Sequence, residues 1–326
     1  MAGLIVEDDI DFSVYENETE AAQSVRAASL YVQALLDRVN NPVKAKRITM
    51  PWGKTHRLLQ FRPGEVTVWG GPNGSGKSLV TGQVALSLCA QDERVAIASF
   101  EMKPERSLER MGRQWTKVGL YDETIMADAH QRKTVLDLYS QFGDWTDGKM
   151  WMYDKQGTVQ WKRVCAVARY CAKELGITQF FIDSLMKCVQ GEDDYNGQKA
   201  FVDELTAIAR DHDIHVHLVH HVKKPATEDT KSSKYDFKGT GAITDQADNV
   251  IALWRNKRKE KDRQAKKPVS AGEPDTMLIV DKQRNGEGWE GQIGLWYDRV
   301  SNQFLGKPDH APMNFYSAPQ EEAHDD

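Results

Sequence analysis

The chain has 326 residues, 40% hydrophobic and 28% charged, with a formal net charge of −5 at pH 7. That length fits one large globular domain with appendages or two small ones, and no apolar run approaches the roughly 20 residues of a membrane-spanning helix. The negative balance argues against a protein coated in basic residues, while leaving room for Lys and Arg concentrated locally.

Residues 1–17 carry Glu7, Asp8, Asp9, Asp11 and Glu16 and read as a mobile acidic arm. They lack a signal-peptide core, and the four cysteines (Cys89, Cys165, Cys171, Cys188) form no CxxC pair, so a cytoplasmic protein with reduced thiols is expected. From Glu18 to about Val39 a stripe of Val25, Ala28, Leu35, Leu36 and Val39 predicts a helix that stops near Asn40-Asn41-Pro42. It either packs on its own domain or docks on a neighbouring subunit. Residues 43–64 read as a linker and turn.

The stretch Gly71-Pro72-Asn73-Gly74-Ser75-Gly76-Lys77-Ser78 fits G-x-x-x-x-G-K-[ST]. It follows the apolar strand Glu65–Trp69 and precedes a helical run, Leu79–Leu88. Glycines let backbone N–H groups curl around phosphate oxygens, and the next helix points its positive end at the same anion. Lys77 is expected on the β/γ-phosphates and Ser78 on Mg²⁺, so ATP is the expected substrate and Mg²⁺ the cofactor.

Beyond it, strands are predicted at Val66–Trp69, Val95–Phe100, Gln179–Asp183, His215–His220, Asn249–Trp254, Met277–Asp281 and Ile293–Tyr297. Helical segments fall at 104–118, 157–175 and 197–212. Near-continuous apolar strands alternating with helices predict an α/β fold with a mostly parallel central sheet, the last two strands forming an antiparallel edge. Phe180-Phe181-Ile182-Asp183 fits a strand whose terminal carboxylate, Asp183, enters the Mg²⁺ shell. Glu101, at a strand tip, is placed either to orient the attacking water or as a charge near the start of the next helix. His215, His217, His220 and His221 lack the partners of a zinc site; one of the last two is expected to sense the γ-phosphate.

Lys223, Lys224, Lys231, Lys234 and Lys238-Gly239-Thr240-Gly241 form a long basic loop that either contacts a phosphate backbone or is merely solvated. A second basic block, Arg255 to Lys267, reads as a flexible hairpin arm with solvated outer charges. In Asp281-Lys282-Gln283-Arg284 the two cations point the same way and suit a sensor and an arginine finger for a facing subunit's nucleotide. Residues 306–326 are polar, carry Pro308, Pro312 and Pro319, and are expected to be a disordered acidic tail.

Together these stretches resemble the RecA-like P-loop NTPase domain of DnaB-type hexameric replicative helicases, most of all the helicase half of bacteriophage primase-helicases and the mitochondrial helicase Twinkle. The motifs that carry the resemblance are the P-loop, Ser99-Phe100-Glu101-Met102, Phe181-Ile182-Asp183, Leu218–Pro225, Phe237–Ala242, Gln246–Leu253 and Lys282-Gln283-Arg284. The resemblance implies Glu101 as catalytic glutamate, Asp183 as Mg²⁺-shell aspartate, His221 as γ-phosphate sensor, Lys282 and Arg284 as trans-acting sensor and finger, and Arg255 and Tyr297 around the base. It aligns His221–Gly241, with Lys223, Lys224, Lys234, Lys238 and Gly239, with DNA-binding loops of a central channel. It implies an ATP-dependent helicase moving 5′ to 3′ on single-stranded DNA as a homo-oligomeric ring, expected to be a hexamer, in the bacterial host cytoplasm if phage-encoded.

The expected division is an arm and linker helix (1–44), the ATPase domain (45–305) and the tail (306–326), whose Glu321, Glu322, Asp325 and Asp326 are candidate contacts for a DNA polymerase or primase. Ser184 after Asp183 departs toward some recombinases, and a primase half is absent from the sequence. Two alternatives are a RecA- or RadA-like recombination ATPase forming filaments on DNA, and a non-motor regulatory or loader ATPase.

Overall fold

The computed structural model describes residues 47–191, 193–222, 236–237 and 241–316, together with 3–5, 11, 28–29, 32–33 and 36. Its frame is a sheet in the order β1-β4-β3-β5-β6-β2-β7-β8-β9-β10. The strands are β1 (Gly3–Ile5), β2 (Val66–Gly71), β3 (Val95–Ser99), β4 (Met150–Tyr153), β5 (Gln179–Asp183), β6 (His215–His221), β7 (Asn249–Arg255), β8 (Thr276–Gln283), β9 (Gly291–Asp298) and β10 (Gln303–Leu305). From β1 to β7 neighbours are parallel; β8, β9 and β10 continue the sheet antiparallel. All six β2 residues are buried, as a strand covered on both faces requires.

The helices are α1 (Lys77–Ala90), α2 (Pro104–Thr116), α3 (Glu123–Ala127), α4 (Ala129–Thr146), α5 (Trp161–Glu174), α6 (Tyr195–Asp211), α7 (Ala242–Gln246) and α8 (Lys257–Gln264). They divide the core into two clusters, one on each face of the sheet. On one face α5, α6 and α7 bury Val164, Phe201, Leu205 and Ile243 against Val66, Phe180 and Val216. On the other, α1 and α2 bury Val84, Leu88 and Met111 against Trp69, Ile97 and Phe181. Pro104 opens α2, where its missing N–H costs nothing, and the Asp128 side chain caps α4 by accepting from the His130 and Gln131 N–H groups.

Several expectations need correction. Within the supposed acidic arm, Gly3–Ile5 pairs in parallel with β4 at the sheet edge. Residues 47–64 are not a bare linker, because Met50, Trp52, Leu59 and Phe61 join the core and Trp52 Nε1 donates to the Phe304 carbonyl. The 255–267 block is no flexible arm. Lys257–Gln264 is helical, capped by Asn256, with Lys259 and Arg263 both paired to Asp275. Nor does the disordered tail begin at 306. Phe315 is buried, the Gln303 side chain bonds both ways with the Met313 backbone, and the Tyr316 ring lies 4.7 Å from that of Trp115. The elements β4, α3 and α4 add to those predicted. In the predicted 18–39 helix, Ala28, Ser29, Val32, Gln33 and Leu36 are helical, with Val32 and Leu36 exposed; its remainder, like Glu321, Glu322, Asp325 and Asp326, lies outside the described residues. Among the described residues no helix is long and apolar enough to cross a membrane.

Candidate active site

The carboxyl ends of β2, β3, β5 and β6 meet at one cleft. β2 runs into the glycine turn and α1 starts at Lys77. Gly74 and Gly76 have φ of +75° and +95°, which L side chains rarely adopt, so this turn is available only to glycine at those two positions. Gly76 immediately precedes α1, which sets the turn at the positive end of the helix. Lys77 Nζ lies over the turn and donates to the carbonyls of Gly71 (2.7 Å) and Pro72 (3.1 Å). Burial pushes its ammonium down to about 8, against the opposing pull of Asp183 and Glu101.

Ser78 Oγ donates to Asp183 Oδ2 at 2.7 Å. Asp183 is only 8% exposed, and burial raises its carboxyl despite that hydrogen bond. A buried carboxylate whose direct partner is a hydroxyl suits a hard cation. Mg²⁺ asks for one or two protein oxygens beside phosphate and water, which Ser78 and Asp183 supply. Among the described residues there is no group of three or more His, Cys, Asp and Glu that would form an all-protein metal cage. His215 and His217 are instead core residues. His215 bonds Thr67 Oγ1 and the Arg62 carbonyl, His217 sits between Trp69 and Gln179, and burial lowers both rings, His215 to about 4. The four cysteines are buried and unpaired, their thiols raised by burial.

The Phe100 N–H donates to the Asp183 carbonyl, tying the tips of β3 and β5 together. Glu101 Oε1 then accepts from Ser184 Oγ at 2.8 Å and lies 3.2 Å from His221 Nε2, while Ser184 Oγ is 3.5 Å from the same nitrogen. The bond from His221 holds the Glu101 carboxyl down at about 2, with Ser184 assisting and burial opposing. Glu101 therefore faces the cleft as a carboxylate at any working pH; the acidic residue in the first turn of α2 is Glu105 instead. His221 reaches this cluster, whereas His220 is buried on the opposite face, stacked on Phe237 at 6.0 Å.

The cleft of about 500 Å³ is lined by Asn73–Leu79, Glu101, Asp183, His221 and Arg110. It shares Ser75, Gly76, Leu79, Arg255 and Asn302 with a second cavity of about 330 Å³ that adds Tyr297, Phe304 and Arg113. Arg255 Nη1 donates to the Gly74 carbonyl and Nη2 to Glu260. The Tyr297 hydroxyl donates to Asn302 Oδ1, and its ring packs 5.2 Å from that of Phe304. The two residues expected around a base thus stand at one cavity, contiguous with the glycine turn.

Lys282 and Arg284 are elsewhere. Arg284 follows the end of β8, level with the start of β2, and so lies at the opposite edge of the sheet from the glycine turn. Lys223, Lys224, Lys234, Lys238 and Gly239 lie outside the described residues. What is described is their base, where Val222 forms an antiparallel bridge with Phe237.

Three residues at this cleft are not singled out for it by the sequence. Ser184 stands there only as a departure from the family pattern, although its place after Asp183 puts it beside the β3 tip. Arg110 and Asn302 give no signal, since which side of a helix or turn faces a cleft depends on packing.

The chain matches the family described as DnaB-like helicase C terminal domain over residues 56–305. It is 24% identical over 220 residues to a DNA helicase/primase of Enterobacteria phage T3, covering 63% of this chain and 38% of that relative, so it spans well under half of that protein's length. Among solved structures it is similar to an isolated ATPase domain (TM-score 0.69, 16% identity, 87% of this chain and 99% of the other). It is also similar to a DnaB-like replicative helicase studied for its interactions with primase (TM-score 0.66, 15% identity, 87% and 67%). The largely parallel sheet, the RecA-like P-loop core and a match over three quarters of the residues agree: the chain belongs to the DnaB-like helicase C terminal domain family.

Proposed function

We propose that this chain is the motor of an ATP-driven replicative DNA helicase, hydrolysing MgATP at the seam between copies of itself and moving 5′ to 3′ along single-stranded DNA within a ring, expected to be a hexamer. The observation that carries the reading is Glu101, held anionic beside Ser184 and His221 at the mouth of the cleft that contains Lys77, Ser78 and Asp183. Ser78 and Asp183 would hold Mg²⁺, which when bound neutralises charge on the β- and γ-phosphates. The backbone of Gly71–Gly76 and the Lys77 ammonium bind the phosphates, and Arg255 and Tyr297 bracket the base. Glu101 orients the attacking water and accepts its proton. His221, bonded to that carboxylate, registers whether a γ-phosphate is present.

Lys282 and Arg284 act on a neighbour's nucleotide. β2 spans roughly 17 Å at about 3.3 Å per residue, and the two cations lie at its far end from Lys77, so no side chain of the same copy bridges the gap. Lys223, Lys224, Lys234, Lys238 and Gly239 contact the sugar–phosphate backbone without reading bases. The division we propose is an arm and linker helix before residue 45, a motor that runs through the packed Phe315, and an acidic end that meets a polymerase or primase.

Strand displacement on a forked duplex tests this. Unwinding that needs ATP, starts from a 5′ single-stranded tail and disappears with Lys77→Ala is expected; an assembled ring that hydrolyses ATP yet displaces nothing overturns it.

A further inference from the structure

Lys282 and Arg284 are not presented by β8 alone. Lys282 Nζ donates to the carbonyls of Thr244 (2.9 Å) and Asp245 (2.6 Å), and Arg284 Nη2 donates to the Asp245 carbonyl at 2.9 Å. Those carbonyls belong to the last turn of α7, where helix oxygens lack intrahelical donors and where cations are favoured. The other arm of the guanidinium, Nη1, donates to Asp248 Oδ1 at 3.0 Å, and the Arg284 N–H donates to the Asp248 carbonyl. Asp248 is buried (3%), and its second oxygen, Oδ2, accepts from the Val66 N–H at 2.9 Å. Val66 is the first residue of β2, the strand that ends in the glycine turn.

A single buried carboxylate therefore joins the root of this subunit's phosphate-binding strand to an arginine whose side chain is 40% exposed. Nothing in hydrolysis within one subunit needs that bridge. We propose that Asp248, with the last turn of α7, is a positioning device for the trans-acting pair. It fixes the reach and direction of Arg284 toward the neighbouring copy and ties that direction to the state of β2. Lys282 shares the α7 carbonyl of Asp245, so the pair moves as one unit. Helix α7 is anchored through buried Ile243 on the face covered by α6, and it directly follows the lysine-bearing stretch 223–240 in the chain. A displacement of α7 thus has a covalent route from that stretch and a hydrogen-bonded route to Arg284.

The inference rests on the proposed trans role of Arg284, so the experiment separates the two. Asp248→Asn keeps an oxygen for the Val66 N–H but removes the charge that grips Arg284. In the full-length assembly, turnover at saturating ATP is expected to fall about 10- to 100-fold, the scale of a lost charged hydrogen bond, with KM for ATP changed less than about twofold. Mixing with Lys77→Ala subunits, which supply an intact Arg284 but no turnover of their own, should restore part of the activity, as it should for Arg284→Ala. If Arg284→Ala is rescued and Asp248→Asn is not, or if Asp248→Asn turns over normally, the positioning role is wrong and the shared site stands. If Arg284→Ala itself is not rescued, the shared site falls and this inference with it. Should Asp248→Asn assemble poorly, Asp248→Thr, whose hydroxyl can accept from Val66, goes through the same mixing test with the same outcomes.

Discussion

The two edges of the parallel sheet use polar side chains in opposite ways. At the amino edge nearly every buried polar group is answered within the chain. Asn249 donates to Glu65 and Thr67, Asn285 to Glu65, and Gln179 to Glu93, while His217 receives from Trp69. At the carboxyl edge the same chemistry is left short of partners. The Ser75 hydroxyl and His221 Nδ1 are buried without a hydrogen bond, and Lys77 folds back on its own turn. A closed network fixes strand register, whereas an open one awaits an anion and a cation. Lys282 and Arg284 are the exception at the closed edge. They are cations satisfied by carbonyls and one carboxylate, yet still partly open to solvent.

The sharpest way to break this contrast is Arg284→Ala. A residue at the closed edge should matter only to local packing unless it serves another copy. We expect ATP turnover to fall about 10³- to 10⁵-fold, the range for an arginine finger, with nucleotide binding retained, as measured by steady-state hydrolysis beside binding of a fluorescent ATP analogue. Glu101→Gln, at the open edge, should cost about 10²- to 10⁴-fold in turnover with binding intact; a smaller loss would move the water-orienting role away from Glu101.

Gly70→Ala probes where the edges are joined through the core. A Cβ there would stand 2.1 Å from the Phe237 ring, so the ring must leave Gly70 or β2 must shift. Thermal unfolding should show a loss of about 1–3 kcal/mol. The smallest effect expected is on pH. Because burial lowers Lys77 to about 8 and a polyphosphate prefers the ammonium, ATP affinity should hold steady below pH 8. It should then weaken toward tenfold per pH unit above it, as the free protein loses that proton before binding. A flat profile between about pH 7.5 and 9.5, a window that brackets the lowered lysine, would mean the amine does not meet the phosphates.

Much of the carboxyl edge is legible because its signals are local. A glycine turn between strand and helix, or a carboxylate ending an apolar run, needs only a few consecutive residues, and strand tips in an open parallel sheet converge of themselves. The 43–64 segment misleads because Met50, Trp52, Leu59 and Phe61 follow neither a period of 2 nor one of 3.6 and are buried only by distant partners such as Phe304. The 255–267 block misleads because its charges look solvated until Asp275, far along the chain, accepts Lys259 and Arg263.

What the sequence by itself determined is the phosphate-binding turn, the alternation of strands and helices, and the identities of Lys77, Ser78, Glu101 and Asp183, all properties of neighbouring residues in the chain. Only the tertiary structure decided that His221 rather than His220 reaches Glu101, that Ser184 joins them, and that Asp248 and the end of α7 grip Lys282 and Arg284. Those choices depend on strand twist, sheet order and which face each side chain takes, quantities set when distant segments pack and invisible to any short window of residues.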